Sequence, residues 1–428
     1  MKLPHWPVPY IKKLEKMRLD VMHKLLDALG NPHHSLPPVV HIAGTNGKGS
    51  TLAYLKAVLE AAGYKVHRYT SPHLVRFNER ITLAGEEIDD GFLYEVIEET
   101  RQAAGDLQVS FFEGTTAAAF LAFHKVKGDI LLLETGMGGI FDATNVVDKP
   151  LLTIITPISY DHMEYLGNTL TSIALEKAGI IKPNVPCIIS WQFQEALEVL
   201  KARCRQLHAS YSAFGEHWQF EVLKDRFNFI DLESNENNSY SFPLPSLVGP
   251  HQIINVSTAI AALQGMNQFE FTMEHIVQGI TNAVWPARLE QIKRGVLYSM
   301  LPQGWELWLD GAHNEAGAQM LSVVADQWQD RPLFLINGRT GNRDIKAFLR
   351  HFEDKVALVI GVEVQSEPLA EKAEKIVAGA LELGFKAIEM SSVASAIQHC
   401  IDNTTVPSRI LICGSLYLAG DVIAANHA

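Results

Sequence analysis

The sequence predicts an α/β protein in two parts: a phosphate-loop domain on a mostly parallel sheet, followed by a smaller doubly wound domain. Three observations carry that expectation. Residues 39–50 read V-V-H-I-A-G-T-N-G-K-G-S and run straight into the helical pattern T-L-A-Y-L-K-A-V-L-E-A-A. Uninterrupted apolar runs of the kind buried in parallel sheets recur at 129–135 and 151–159. Beyond Gly295, strand-like runs E-L-W-L-D, P-L-F-L-I-N-G, V-A-L-V-I-G and R-I-L-I-C-G-S alternate with helical patterns to the end of the chain.

The phosphate loop organises the first part. Apolar and β-branched residues form a buried strand, two glycines let the backbone turn, and Lys48 stands where a helix begins, with free N–H groups suited to phosphate. The strict phosphate-loop pattern is only partly met, because Ile42 replaces its first glycine and Gly49 follows the lysine where Ser or Thr is usual. Upstream, residues 10–30 read as an amphipathic helix with Leu14, Met17, Val21, Leu25 and Leu29 on one face. Downstream, a strand over 64–70 leads into S-P-H-L-V-R-F-N-E-R-I-T-L, where His73, Arg76, Asn78 and Arg80 form a basic cluster. The cluster reads equally as solvated surface or as a holder of a substrate carboxylate. Helices are expected over 91–104 and 117–126, the second opened by Ser110, Phe111, Phe112, Glu113 and Gly114.

Glu134 closes the strand at 129–135, where ligands sit in open α/β sheets, and G-M-G-G-I-F-D-A-T-N follows with Asp142. The next strand delivers Asp161, His162 and Glu164 to the same edge, and a helix over 169–179 carries Glu176 and Lys177, by itself an ordinary solvated pair. Residues 218–246 alternate like an antiparallel hairpin with a polar S-N-E-N-N-S turn, and a helix containing Asn255 starts at Gly249-Pro250-His251. The segment 285–295, W-P-A-R-L-E-Q-I-K-R-G, reads as a link, with the domains placed at 1–292 and 293–428. Asp310 and His313 lie just past a strand end in the second.

Composition narrows the function. The 428 residues carry a net charge of -12, which opposes binding to a nucleic-acid backbone. The four cysteines, Cys187, Cys204, Cys400 and Cys413, form no C-x-x-C pair, so neither a zinc site nor a disulfide framework is expected. No signal core or membrane-length apolar stretch is visible, and the expected location is the cytoplasm. The phosphate loop with Glu134 and His162 at neighbouring strand ends implies an ATP-dependent enzyme using magnesium.

The ordered motifs G-T-N-G-K-G-S, S-P-H-L-V-R-F-N-E-R-I, F-F-E-G-T-T, L-E-T-G-M-G-G-I-F-D-A-T-N, D-H-M-E-Y-L-G, E-K-A-G-I-I-K-P, P-A-R-L-E and D-G-A-H-N resemble the folylpolyglutamate synthase and dihydrofolate synthase family of the Mur ligase superfamily. The resemblance runs from about Leu25 to Gly420. It implies a phosphate-loop ATPase domain with a Rossmann-like C-terminal domain, in which ATP turns a pterin or folate carboxylate into an acyl phosphate that L-glutamate attacks. It also implies ATP on Thr45, Asn46, Gly47, Lys48, Gly49 and Ser50, with Asn255 near adenine, Arg288 on the phosphates, Asp310 on the ribose, and His313 beside them. Ser71 and Glu134 are expected on one Mg2+, and His162 with a carbamylated Lys177 on a second. Lys48, Lys177 and His162 are the expected catalytic residues. His73, Arg80, Ser110, Phe111, Phe112, Glu113, Phe141, Asp142 and Ala143 are expected on the pterin or folate side. A monomer is expected.

Some positions depart from the family pattern. Ile140 stands where an arginine is usual, Arg343-Asp344 replaces Lys-Asp, and the early dihydropteroate-pocket segment is not visible in L-E-K-M-R-L-D-V-M. Two other readings remain: a ligase adding an amino acid to a cell-wall precursor, and a nucleotide-binding switch without amide formation. The folate-type motifs oppose the first, and the joint presence of Glu134, His162 and Lys177 opposes the second.

Overall fold

The computed structural model describes residues 4–7, 18–233, 238–341 and 343–427. The chain clusters into two units, one drawn from 2–246 and 252–284 and the other from 285–428 with 247–251.

The first unit is built on β1 (Val39–Ala43), β2 (Val66–Tyr69), β3 (Ile81–Leu83), β4 (Glu86–Glu87), β5 (Ile130–Glu134), β6 (Leu152–Ile155), β7 (Cys187–Ile189) and β8 (Tyr211–Ala213). They lie in the order β4-β3-β2-β5-β1-β6-β7-β8, parallel from β2 to β8. Only β3 and β4 run antiparallel. Every residue of β1 and β5 is buried, because helices cover both faces, and this is why these strands read as unbroken apolar runs. Register pairs Ile42 with Glu134 and Ala43 with Ile155, so the chain leaves β1, β5 and β6 side by side at one edge.

The segment over 218–246 is a three-stranded antiparallel sheet, not a hairpin: β9 (Trp218–Val222), β10 (Arg226–Asp231) and β11 (Ser239–Pro243), with β10 central. Residues 234–237 of the expected turn lie outside the described residues. Stacking of Trp218 on Phe229, with centroids 5.8 Å apart, gives this sheet its own apolar centre. Of the helix expected over 10–30, the described part is Asp20–Ala28.

The second unit has the order β12-β13-β17-β14-β15-β16, formed by β12 (Glu290–Ile292), β13 (Glu306–Leu309), β14 (Leu333–Asn337), β15 (Leu358–Gly361), β16 (Ala387–Glu389) and β17 (Arg409–Cys413). The segment read as a link is partly this edge strand: β12 pairs antiparallel with β13 through Gln291 and Trp308, so residues 285–292 cluster with the second unit. The four cysteines are free and buried. Among the described residues no helix is long and apolar enough to cross a membrane.

Helix packing in the first unit has a tight point. The helix Met273–Asn282 crosses the phosphate-loop helix Lys48–Ala61 at Gly279, where a Cβ would stand 2.3 Å from Val58 Cγ2 and 2.6 Å from its backbone nitrogen. Gly279→Ala is expected to force the helices apart and cost about 1–3 kcal/mol. Urea unfolding followed by circular dichroism checks it; an unchanged midpoint would show that the helices yield freely.

Candidate active site

The helix after β1 starts on a glycine. Elsewhere in this unit, Asp89, Ser110, Thr169 and Thr272 cap helix N-termini with their side chains. The helix at Lys48 begins on Gly47 in the left-handed region at φ 90°, with no side-chain cap, and its first-turn N–H groups remain for a phosphate. Both loop glycines are required: a Cβ on Gly44 would lie 1.8 Å from Thr156 Oγ1, and one on Gly47 would lie 2.4 Å from Asn255 Oδ1. Asn255 is therefore set against the turn of the loop, and its Nδ2 donates to Gln252 Oε1 at 3.1 Å.

The loop is bound to the segment after β6. Thr45 and Asn46 donate their backbone N–H groups to Pro157 O, and Thr45 Oγ1 donates to Ser159 O at 3.1 Å. Asn46 Nδ2 reaches Ser159 Oγ at 3.2 Å. Gly49 and Ser50 are buried in the first helical turn, where Ser50 Oγ accepts from Gln252 Nε2.

Two lysines meet on one carbonyl. Lys48 Nζ donates to Gly44 O at 3.2 Å and Lys177 Nζ donates to the same oxygen at 2.9 Å. Lys48 also lies 3.8 Å from Glu134 Oε1, while Glu134 Oε2 accepts from Ser71 N at 3.3 Å. Burial first, and the neighbouring Lys48 charge second, lower the Lys177 pKa from 10.5 to about 7. Asp161 is buried and accepts from the backbone N–H of His162, whose ring is 42% exposed.

For a metal, Ser71 and Glu134 fit: magnesium is commonly held by one or two protein oxygens together with substrate phosphates. Among the described residues no group of three or more His, Cys, Asp or Glu is arranged to hold a metal ion. The Lys177 amine is a donor and fits a cation only after conversion to an oxygen ligand.

The remaining expected residues divide by what already occupies them. Arg80 is buried rather than on a solvated strand; its Nε donates to His73 Nδ1 at 2.8 Å, and its guanidinium lies over Phe77 and Phe111 at 5.3 and 5.7 Å. Burial and Arg80 lower the His73 pKa to about 3. Arg76 points elsewhere, pairing with Asp90 on the surface. Ser110 and Glu113 form a capping box, with Ser110 N donating to Glu113 Oε2 at 2.8 Å and Glu113 N to Ser110 Oγ at 3.2 Å. Phe112 packs over Gly136, where a Cβ would be 2.4 Å from the ring. Phe141 is 46% exposed, and Asp142 and Ala143 are buried.

In the second unit, Asp310 is buried and accepts Leu289 N–H at 2.7 Å and Ala312 N–H at 2.6 Å. Arg288 stands between two non-glycine residues with positive φ, Ala287 at 55° and Leu289 at 47°. Its Nη1 donates to Ala287 O at 2.9 Å, and a Cβ on Gly311 would lie 2.6 Å from that atom. His313 Nδ1 lies 2.9 Å from Gly311 O.

The Mur ligase middle domain matches residues 42–263, and the Mur ligase glutamate ligase domain matches 288–416. The chain belongs to the Mur ligase family. Within it, the chain is 38% identical over 333 residues to the dihydrofolate synthase/folylpolyglutamate synthase of Bacillus subtilis, covering 73% of each. This places it in the dihydrofolate synthase/folylpolyglutamate synthase branch. The structure of Escherichia coli FolC in complex with DHPP and ADP superposes with TM-score 0.85 at 29% identity, over 97% of this chain and 94% of that one. A bifunctional folylpolyglutamate synthase/dihydrofolate synthase with Mn, AMPPNP and L-glutamate bound gives 0.83 at 26% identity, over 96% and 95%.

This Mur ligase chain also holds residues that the sequence reading passed over. Ser159 ties the phosphate loop to β6, and His41, Thr135 and Thr144 form a buried polar chain beside Asp142. His41 lies inside an apolar strand run and offered a single polar letter as its signal.

The lowered Lys177 pKa sets a pH dependence. At and below about pH 7 both folded and unfolded chains bind the proton and the burial penalty is complete; between about 7 and 10.5 the unfolded chain binds more, so stability rises with pH across that window. Lys177→Met is expected to be more stable than the parent at pH 7, with the gap closing by roughly 1 kcal/mol per pH unit towards pH 10. Denaturation midpoints in carbon-dioxide-free buffer check this, and a pH-independent gap would contradict it.

Proposed function

We propose that the protein is an ATP-dependent ligase that joins L-glutamate to a pterin or folate carboxylate, working as a monomer in the cytoplasm. The observation that carries the reading is the meeting of Lys48, Lys177, Glu134 and Ser71 at the carboxyl edge of β1, β2 and β5. The Lys48 cation and a helix start face an edge that also carries a carboxylate and a second lysine amine, a setting suited to transfer of a phosphoryl group from ATP to an acid.

In this reading the Gly44–Ser50 backbone and Lys48 bind the ATP phosphates. Asn255, Arg288, Asp310 and His313 are assigned to the nucleotide. Ser71 and Glu134 hold one magnesium ion, and His162 with Lys177 a second. The ions neutralise charge on the transferring group. The acid oxygen attacks the terminal phosphorus and ADP leaves; the amine of glutamate then attacks the acyl carbon, phosphate leaves, and the amine proton passes to solvent. Arg80 and His73 are assigned to the acceptor acid with Phe111, Phe112, Phe141, Asp142 and Ala143. The buried charge of Arg80, steered by His73 and two rings, supports a carboxylate role. Ser110 and Glu113 support the acceptor face by fixing the helix that begins at Phe111.

Lys177 in its carbamylated form is part of the proposal. A lysine with pKa near 7 has a substantial share of unprotonated amine at neutral pH, and that form adds carbon dioxide to give a carbamate and a proton. The product offers oxygens in place of a competing cation. Unmodified amine density in a magnesium-bound crystal would overturn it.

The testing experiment is ADP release with ATP, magnesium and L-glutamate, using 7,8-dihydropteroate or a reduced monoglutamyl folate as acceptor. Glutamate-dependent turnover on at least one is expected, and turnover on neither rejects the reading. Lys48→Ala is expected to lower kcat by about a hundredfold or more, since one electrostatic contact to developing charge is worth that much. Glu134→Ala is expected to raise the magnesium concentration needed for half-maximal rate; a parental magnesium requirement would remove Glu134 from the metal site.

A further inference from the structure

Between β1 and the loop after β5 runs a hydrogen-bond chain that phosphate transfer does not use. His41, fully buried on β1, places Nε2 2.9 Å from Thr144 Oγ1 and 3.1 Å from Thr135 Oγ1. Thr144 Oγ1 donates to Asp142 Oδ1 at 2.6 Å, and Thr144 N–H donates to the same oxygen at 3.0 Å. Met137 N–H donates to Asp142 Oδ2 at 2.9 Å.

The proton positions follow by elimination. Thr144 has one hydroxyl proton and spends it on the Asp142 carboxylate, so its Oγ1 meets His41 with a lone pair and Nε2 carries the hydrogen. In the other tautomer Nε2 could accept from Thr135 but would face the Thr144 lone pair, and it would bury an Nδ1–H group, yet Nδ1 has no partner among the described residues. A bare acceptor is the cheaper orphan. Burial lowers the His41 pKa to about 3, which keeps the ring neutral.

The same loop is clamped from its other side. Ile140 N donates to Glu176 O at 3.0 Å, and Asn145 Nδ2 donates to Ile140 O and Gly179 O at 3.0 and 3.2 Å. A Cβ on Gly139 would lie 2.3 Å from Glu176 O, so the loop rests on the helix that carries Lys177. Between the two clamps Ile140 and Phe141 are exposed.

We propose that His41 is a positioning residue for the acceptor: acting through Thr144, it fixes the Asp142 carboxylate and the loop that presents Phe141 to a flat heteroaromatic ring rich in N–H donors. The inference rests on reading that loop as part of the acceptor site. A carboxylate accepts from such ring N–H groups only if its direction is set beforehand, and two buried threonines with one neutral imidazole set it without adding charge.

The test compares His41→Met, which fills the site without a donor, with His41→Gln, whose amide restores a donor near Nε2, and with Phe141→Ala as a reporter of the loop. In His41→Met the KM for the acceptor is expected to rise about tenfold, with kcat and the KM for ATP within about twofold of the parent, and His41→Gln to recover most of the loss. Amide exchange at Met137 and Thr144 is expected to be about tenfold faster in His41→Met, with Lys48 unaffected. Unchanged exchange, or an unchanged acceptor KM, in His41→Met overturns the inference. If Phe141→Ala raises that KM while His41→Met does not, the fault lies with His41 alone. If neither variant moves it, the loop does not serve the acceptor. Should His41→Met fail to fold, Thr144→Val and its control Thr144→Ser carry the same comparison with the same outcomes.

Discussion

The carbonyl oxygen of Gly44 accepts from the amines of both Lys48 and Lys177, and much of the first unit is arranged so that it can. A backbone oxygen at the end of a buried strand has few ways to reach two side chains from different helices. Gly44 and Gly47 permit the sharp turn, Thr156 and Asn255 fill the space their missing side chains leave, and Ser159 ties the loop down from β6. Burying the Lys177 amine, and then setting it beside Lys48, carries a cost that appears as its lowered pKa. Such an arrangement is stable only in a scaffold that over-determines it, which the fully buried β1 and β5 provide.

Helix starts in this unit differ in what closes them. Ser110 and Thr169 close theirs with side chains, whereas Gln194–Gln206 starts on Phe193 without a side-chain cap. The phosphate-loop helix starts on Gly47 in the left-handed region, and its N–H groups stay open beside Lys48. An uncapped start alone does not mark a binding helix; the glycine turn and the lysine that follows it do so together.

The parts of this fold legible in the sequence are those with local causes. Buried parallel strands write themselves as apolar runs, so β1, β5 and β6 could be placed, and with them Lys48, Glu134 and His162 at their ends. What was not legible depends on partners distant in the chain. Nothing local in P-A-R-L-E says that Glu290–Ile292 will find β13, and nothing near Asp310 says that Leu289 N–H will take up its carboxylate. The sequence left Arg80 evenly between solvated surface and carboxylate holder, because one of the two rings beneath its guanidinium, Phe111, comes from another segment. The Ser110 and Glu113 pair forms a capping box whose spacing is local, a role separate from the substrate-side place that the family resemblance implies for both residues. The role of His41 is set by Thr144, 103 positions away.

The sequestration of Cys187, Cys204, Cys400 and Cys413 leaves the described surface without a native thiol. A cysteine introduced on the exterior of each unit would then be the preferred point of attachment for a maleimide dye. The parent background thus lends itself to pairwise fluorescent labelling without prior removal of native cysteines, and the distance between the two units during turnover becomes a quantity that energy transfer can follow in solution.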